Sequence, residues 1–548
     1  MNISRRAFAM SDLGLASPDK GARMTATRRN PWKLKARRAA CRAGLLLGWL
    51  GLAGCGGSNG SGPGLAGVPA AASFQATPCP QPNVAGVPSL DLPPGVRCGY
   101  FSVLEDRSKP QGRRIQIFVM RAPAVSATPK PDPIVYLSGG PGGAGSFEVA
   151  TMVRHGLNAE REVIFVDQRG THRAIPRLGC PEWEQFIYDA VGLPFAADST
   201  TVADAAAMKA CRDRLAATGV DLAAYNSTEN AADIAELRVA LGIGSWNVYG
   251  VSYGSNLALT VLRNHAQGIR SVVLDSVSPP TNNIAATWWS APASAFKAIF
   301  AACAGQPACA AAYPDLEADF TATVNRLDRT PVVTQVDREP GPPVTVNIDG
   351  FAFAYTVIVA SEQGDASGVP RMIADMARGD PRAVAGTYLA SRGPAEVIGL
   401  GGVGLAMTVF CAENANRTTA AAALAHAKSA LPGFPDRVLR VQPKQGRLFT
   451  ECPIWNVPTA APSVSAPVVS EVPVLILEGL FDASTAPEWV DLITPDLQNA
   501  QVVEFPFTGH AVLGRSACAP SIMAAFLDHP SRTVDRSCAA QITLTFSR

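Results

Sequence analysis

The stretch from Trp246 to His265 leaves this chain few ways to fold. Trp246 to Tyr249 reads as a short strand, Asn256 to His265 as a helix, and Gly250-Val251-Ser252-Tyr253-Gly254 as the turn between them. A strand that passes so abruptly into a helix strains the backbone at the apex. The glycines at 250 and 254 remove side chains that would collide there. Such a turn lifts the Ser252 hydroxyl above the sheet. The amino end of the next helix points at the same spot and favours negative charge developing on a substrate oxygen. A glycine-serine turn without chemistry is the bland alternative.

The rest of the chain suits such a unit. Apolar or alternating runs occur at Gly99 to Leu104, Arg114 to Met120, Ile134 to Leu137, Val163 to Val166, Val272 to Leu274, Val472 to Leu477 and Val502 to Phe505. The later ones are short, unbroken and apolar, as parallel strands covered on both faces should be. Helical patterns such as Asp233 to Leu241 separate several of them. The fold class expected is α/β, with a doubly wound, mostly parallel sheet. At 548 residues the chain exceeds a typical domain of ~100 to 200, so one large domain with an insertion is expected. Between Pro279 and about Pro467 the pattern turns to Ala-rich helices with no strand regular enough to extend the sheet. Residues 279–467 therefore read as a helical cap insertion over the sheet's carboxyl edge, where open α/β folds bind ligands. Residues 95–278 and 468–548 form the two parts of the sheet domain, 55–94 a flexible Gly/Ser- and Ala/Pro-rich tether, and 1–54 a leader.

The leader places eleven basic residues before the apolar run Ala43 to Ala53, followed by Gly54 and Cys55. This is the order of a signal peptide. The apolar run is about half the ~20 residues a membrane span needs, which disfavours a transmembrane anchor. Leu52-Ala53-Gly54-Cys55 resembles the lipobox of bacterial lipoproteins, which implies acylation of Cys55 and a membrane partner reached through that lipid. The chain would then be an exported, anchored protein of the periplasm or cell surface. With 47% hydrophobic and 17% charged residues the body is globular. The net charge is +2 and most of the basic excess sits in the first 42 residues, so no nucleic-acid partner is expected.

Export bears on the thiols. Of twelve cysteines, setting aside Cys41 and Cys55 leaves ten. An even number in an exported chain argues for disulfides. Ten cysteines allow roughly 945 pairings by the usual counting, but these fall as successive couples. Neighbour pairing is expected: Cys79 with Cys98, Cys180 with Cys211, Cys303 with Cys309, Cys411 with Cys452, and Cys518 with Cys538. No Cys-x-x-Cys occurs and no His lies at ligand spacing from a pair, so no metal site is expected.

A serine hydroxyl needs a general base, itself oriented by an acid. After a strand-turn-helix serine the expected order is Ser, acid, His. Val474 to Leu477 runs into Glu478-Gly-Leu-Phe-Asp482, and Val502 to Phe505 into Thr508-Gly509-His510. Among six histidines His510 alone follows a late strand beyond the acid. Asp482 is the acid expected; Glu478, still within the strand's end, is its rival. His155, His172, His265 and His426 are read as structural. Two backbone donors must hold the oxyanion. Tyr253, after the serine, supplies one, and the Ser138-Gly139-Gly140-Pro141-Gly142 loop the other, through Gly139 or Gly140. A phosphate-binding role for that loop is disfavoured, since neither G-K-[ST] nor G-x-G-x-x-G spacing is present.

Together Ser138-Gly-Gly-Pro-Gly142, Val166-Asp-Gln-Arg-Gly170, Gly250-Val-Ser-Tyr-Gly254, Gly479-Leu-Phe-Asp482 with Thr485, and Gly509-His510 resemble the proline iminopeptidase and tripeptidyl aminopeptidase branch of the α/β-hydrolases. The resemblance covers nearly all of Cys98 to Cys538. It implies the α/β-hydrolase fold, no cofactor, and a serine exopeptidase that removes residues from peptides with a free amino terminus through an acyl-enzyme. Ser138 stands where that glycine motif usually begins with His. Cys411-Ala-Glu413-Asn414 resembles the branch's Cys-x-Asp/Glu element, which implies Glu413 as the ligand of the substrate ammonium. Its plain alternative is a solvated surface glutamate. Asp167 and Arg169 are expected to stabilise the loop beneath the oxyanion site. Two other functions remain open on these residues: an esterase or lipase using the same triad, and a non-catalytic binding lipoprotein.

Overall fold

A computed structural model describes residues 74–338, 341–362, 366–442 and 446–548. The leader, Cys55 and most of the expected tether lie outside the described residues. Among the described residues no helix is long and apolar enough to cross a membrane.

Nine strands form one sheet in the order β1-β2-β3-β5-β4-β6-β7-β10-β11. They are β1 (Phe74–Thr77), β2 (Arg97–Leu104), β3 (Arg114–Ala122), β4 (Ile134–Leu137), β5 (Val163–Asp167), β6 (Trp246–Val251), β7 (Ile269–Asp275), β10 (Val474–Gly479) and β11 (Ala500–Phe505). The pairs β1/β2, β2/β3 and β3/β5 are antiparallel; from β5 to β11 the pairing is parallel. Every residue of β4, β5, β6 and β10 is buried, because helices cover both faces there. The alternation of side chains divides the core. Ile134, Tyr136, Phe165 and Tyr249 pack on the face of α1 (Gly145–Arg154) and the helix Ala519–Asp528. Val135, Leu137, Ile164 and Val248 pack on the opposite face. That face carries α2 (Pro181–Asp189), α3 (Asp198–Ala217), α4 (Ser227–Ala240) and α5 (Tyr253–Asn264).

The register aligns the carboxyl ends of the central strands. Leu137 pairs with Gly250, Gly250 with Leu274, and Leu274 with Ile476. The loops leaving β4, β6, β7 and β10 therefore emerge side by side on one edge.

Between β7 and β10 the chain is mainly helical and has its own apolar cluster, centred on Phe296, Phe320 and Phe353. Its only strands among the described residues, β8 (Val332–Val336) and β9 (Val344–Ile348), pair with each other and not with the main sheet. The five disulfides join Cys79–Cys98, Cys180–Cys211, Cys303–Cys309, Cys411–Cys452 and Cys518–Cys538, the neighbouring couples expected.

Two expected boundaries need correction. The tether does not extend to residue 94, since Phe74–Thr77 is the outermost strand of the sheet and Cys79 is bridged to Cys98. A four-residue edge strand in an Ala/Pro-rich stretch shows no periodicity of its own; its pairing partner fixes it. The inserted cluster also draws on the earlier sequence, as Ala190, Val191, Phe195 and Ala196 pack into it from beyond α2.

Candidate active site

The turn at Ser252 is as tight as its glycines suggested. Ser252 has φ 57° and ψ −126°, a conformation costing about 1–3 kcal/mol that survives only when its surroundings enforce it. They do so from both sides. Ser252 N donates to Asp275 O at 3.0 Å, and Ser255 N donates to Ser252 O at 2.9 Å. A Cβ on Gly254 would lie 2.0 Å from Leu137 O, so only glycine lets α5 approach β4 this closely.

The glycine loop after β4 presses on the serine. A Cβ on Gly139 would lie 2.8 Å from Ser252 Cβ. Gly140 and Ser252 line one cleft. Tyr253 is the first residue of α5, so its amide is among the helix N–H groups without an intrahelical acceptor. Gln168 Nε2 donates to Ser138 O at 2.9 Å from beneath the loop. Asp167 accepts from Ser146 N at 2.8 Å, and burial lifts its carboxyl to about 6. Arg169 is fully buried and grips Asp233 with two bonds of 2.8 Å. Gln168 thus reaches the loop itself, whereas Asp167 bonds to the start of α1 and Arg169 to Asp233 of α4.

The acid and histidine expected from the sequence meet. Asp482 Oδ2 lies 2.8 Å from His510 Nδ1. Its other partners are Ser484 N and Thr485 N, both 2.8 Å from Oδ1, and Thr485 Oγ1, 2.8 Å from Oδ2. Burial pushes the Asp482 carboxyl up, but His510 and the Thr485 donors outweigh it and hold the group below the ordinary carboxylate range. Glu478, the rival acid, is fully buried, accepts from Val277 N at 2.9 Å, and has no bond to His510. Ser252, His510 and Thr485 face a common cavity of about 390 Å³. His155, His172, His265 and His426 do not line it. His172 is buried against Phe147, and desolvation drives its imidazole down to about 3.

Sequence reading missed the support of the His510 loop. Asp275, at the end of β7, is fully buried and accepts from Val512 N at 2.7 Å, Leu513 N at 2.9 Å and Tyr249 OH at 2.8 Å. Ser276 Oγ accepts from Ala511 N at 2.9 Å. A carboxylate directly after the apolar run Val272 to Leu274 was the available signal.

Glu413 lines the same cleft. It belongs to a turn of π-helix, Val409–Asn414, of the kind that frequently marks functional sites. The Cys411–Cys452 bridge fixes that turn. The glutamate is not a solvated surface group. Ser227 N and Ser227 Oγ each donate to it at 2.8 Å, and Ser227 Oγ lies 2.9 Å from Tyr253 OH. Burial raises the Glu413 carboxyl to about 7 against the pull of Ser227. Ser227 too went unread, although Asn226 caps its helix by accepting from Glu229 N at 2.9 Å. Trp183, Trp288 and Phe410 supply apolar wall. Among the described residues no group of three His, Cys, Asp or Glu side chains forms a metal site.

Comparison with known proteins agrees with this architecture. A family model for the alpha/beta hydrolase fold matches residues 132–333, and one for TAP-like protein matches 439–538. The chain has the α/β-hydrolase fold. Between them the two matches hold Gly139, Ser252, Asp482 and His510 of this chain. It is 27% identical over 208 residues to a tripeptidyl aminopeptidase of Streptomyces lividans, covering 35% of this chain and 37% of that one. It is 26% identical over 217 residues to serine protease Hip1 of Mycobacterium tuberculosis, covering 37% and 39%. The chain thus spans less than half the length of the curated relatives it matches. Among solved structures, proline iminopeptidase from Mycobacterium smegmatis aligns with TM-score 0.34 and 18% identity, covering 76% of this chain and 96% of that one.

Proposed function

We propose that this protein is an exported serine exopeptidase that releases residues from the amino terminus of peptides. Ser252 attacks the scissile carbonyl carbon while His510 takes its proton. The oxyanion accepts from the amides of Tyr253 and of Gly139 or Gly140. Collapse of the tetrahedral intermediate breaks the C–N bond, and His510 returns the proton to the leaving amine. Water then cleaves the acyl-Ser252 ester with His510 as base. Asp482 holds the imidazole in the productive tautomer and stabilises its positive form.

One observation favours an exopeptidase over an esterase: Glu413 stands in the same cleft as Ser252 and has no Lys or Arg paired with it among the described residues. A half-buried carboxylate bonded by Ser227, with Arg263 and Arg417 acting on it only from a distance, is suited to a substrate ammonium, whose arrival would favour its charged form. The relatives named as aminopeptidase and serine protease support the same reading. Five disulfides support export, and acylated Cys55 would tether the enzyme to the membrane.

The test is a panel of chromogenic substrates: aminoacyl and tripeptidyl amides with free or blocked amines, and short acyl esters. Cleavage that requires the free amine, and is abolished in Ser252→Ala, is the expected result. Equal turnover of blocked peptides, or preference for esters, overturns it.

A further inference from the structure

The insertion does more than border the cleft. The helix Gly350–Glu362 ends on the two loops that carry Asp482 and His510. Its last residue, Glu362, is only 5% exposed and accepts from Ser484 Oγ at 2.5 Å. Ser484 in turn donates its main-chain N–H to Asp482 Oδ1 at 2.8 Å. The same helix end abuts the other loop, since a Cβ on Gly509 would stand 2.7 Å from both Glu362 Cα and Ser361 O. An independent set of contacts joins these parts. Phe481 and Ala483, flanking Asp482, are buried in the insertion's apolar cluster. Phe507 packs on that cluster and meets Phe481 edge-on at 5.6 Å.

We propose that Glu362 is a positioning residue, which acts through Ser484 to set the geometry of the Asp482–His510 pair. Ser484 Oγ, bonded to Glu362, orients the peptide that offers Ser484 N to Asp482. The adjoining N–H of Thr485 then completes the pair of donors on Oδ1. Separate from the sheet that bears them, the insertion would thereby hold the acid and base loops at a fixed spacing. The inference rests on the acyl-transfer reading of Ser252, Asp482 and His510, but not on the peptidase reading.

The test uses the full chain and a short p-nitrophenyl ester, with Glu362→Ala, Glu362→Gln, Ser484→Ala and the double variant Glu362→Ala/Ser484→Ala. Each alanine variant should lower kcat about tenfold, the scale of one lost orienting hydrogen bond, with KM unchanged. Glu362→Gln should keep most of the activity, because its amide oxygen still accepts from Ser484. The double variant should be no worse than either single one, since both remove the same link. Effects that multiply, a change in KM alone, or a lower Tm with unchanged kcat would each overturn the proposal. If Glu362→Ala does not fold, Ser484→Ala and Glu362→Gln still decide it: a kcat loss in the first, absent from the second, supports the link, and any other pattern sinks it. Should Ser252→Ala keep its esterase activity, the acyl-transfer reading fails instead.

Discussion

Two carboxylates serve one cleft, Glu413 lining it and Asp482 buried behind His510, and they are driven in opposite directions. Asp482 is held below the ordinary range and Glu413 is raised to about 7, though burial is the largest influence on both. The difference lies in what each finds around it. Asp482 has three protein donors besides the ring nitrogen of His510 at 2.8 Å, a partner able to carry positive charge. Glu413 accepts from the two donors of Ser227, and the only cations acting on it, Arg263 and Arg417, do so from a distance without an ion pair among the described residues. Burial alone therefore says little about a site carboxylate; the charge opposite it decides. At Asp482 the protein supplies that charge, and at Glu413 we propose that the substrate does.

The largest effect should come from breaking the first of these. Asp482→Asn keeps the shape but offers His510 an amide, favouring the wrong tautomer and withdrawing the negative charge. By analogy with serine proteases kcat should fall ~10⁴-fold, on esters and peptides alike. Steady-state rates on both substrate classes check this; a loss confined to peptides would mean that Asp482 serves substrate recognition instead.

Breaking the second should be milder and selective. Truncating one partner of a buried charged pair costs ~2–5 kcal/mol, so Glu413→Gln should lower kcat/KM for free-amine peptides by roughly 30-fold or more. Esters and amine-blocked peptides should be left nearly unaffected. The ratio of the two specificities is the measurement. A uniform loss would instead show that Glu413 acts through Ser227 and Tyr253 on the oxyanion donor, to which it is linked by hydrogen bonds.

How legible each carboxylate was in the sequence follows from the same contrast. Ser252, Asp482 and His510 each leave a parallel strand of recognisable pattern, and the register levels those strand ends. Chain order then suffices to name them. Glu413 was named only through a resemblance, because its neighbours come from elsewhere. Ser227 lies 186 residues earlier, and the π-helical turn that presents Glu413 has no sequence period to betray it. Asp275 and Glu362 were hidden for a related reason. Their roles rest on contacts to loops more than a hundred residues away, at Val512 and Ser484, and nothing in the local pattern of a strand or helix end specifies those partners. The short strand at Phe74 likewise needs β2 to define it.

The smallest effect concerns stability and reverses sign between the two carboxylates. A glutamate carboxyl ordinarily titrates at 4.5, and burial raises Glu413 to about 7 in the folded protein. From pH 4.5 to 7 the unfolded chain has already lost this proton while the folded chain keeps it. The group therefore costs stability progressively as pH rises through that window, with the full cost present above about 7. Allowing for the part of its surface open to the cleft, the cost is roughly 2 kcal/mol. Asp482, being lowered, does the opposite: its contribution is fully present above the ordinary carboxylate range and is lost only as pH falls through its own depressed value. Glu413→Gln, close in shape and always neutral, isolates the first term. Urea unfolding of the two proteins should nearly coincide at pH 4.5 and separate by pH 8, with the variant the more stable. A saturating peptide with a free amine should then narrow the gap at pH 8 by supplying the missing cation, whereas an acetylated peptide should not. Parallel curves at all pH values would mean that Glu413 is already ionised in the empty cleft, and the contrast with Asp482 would vanish.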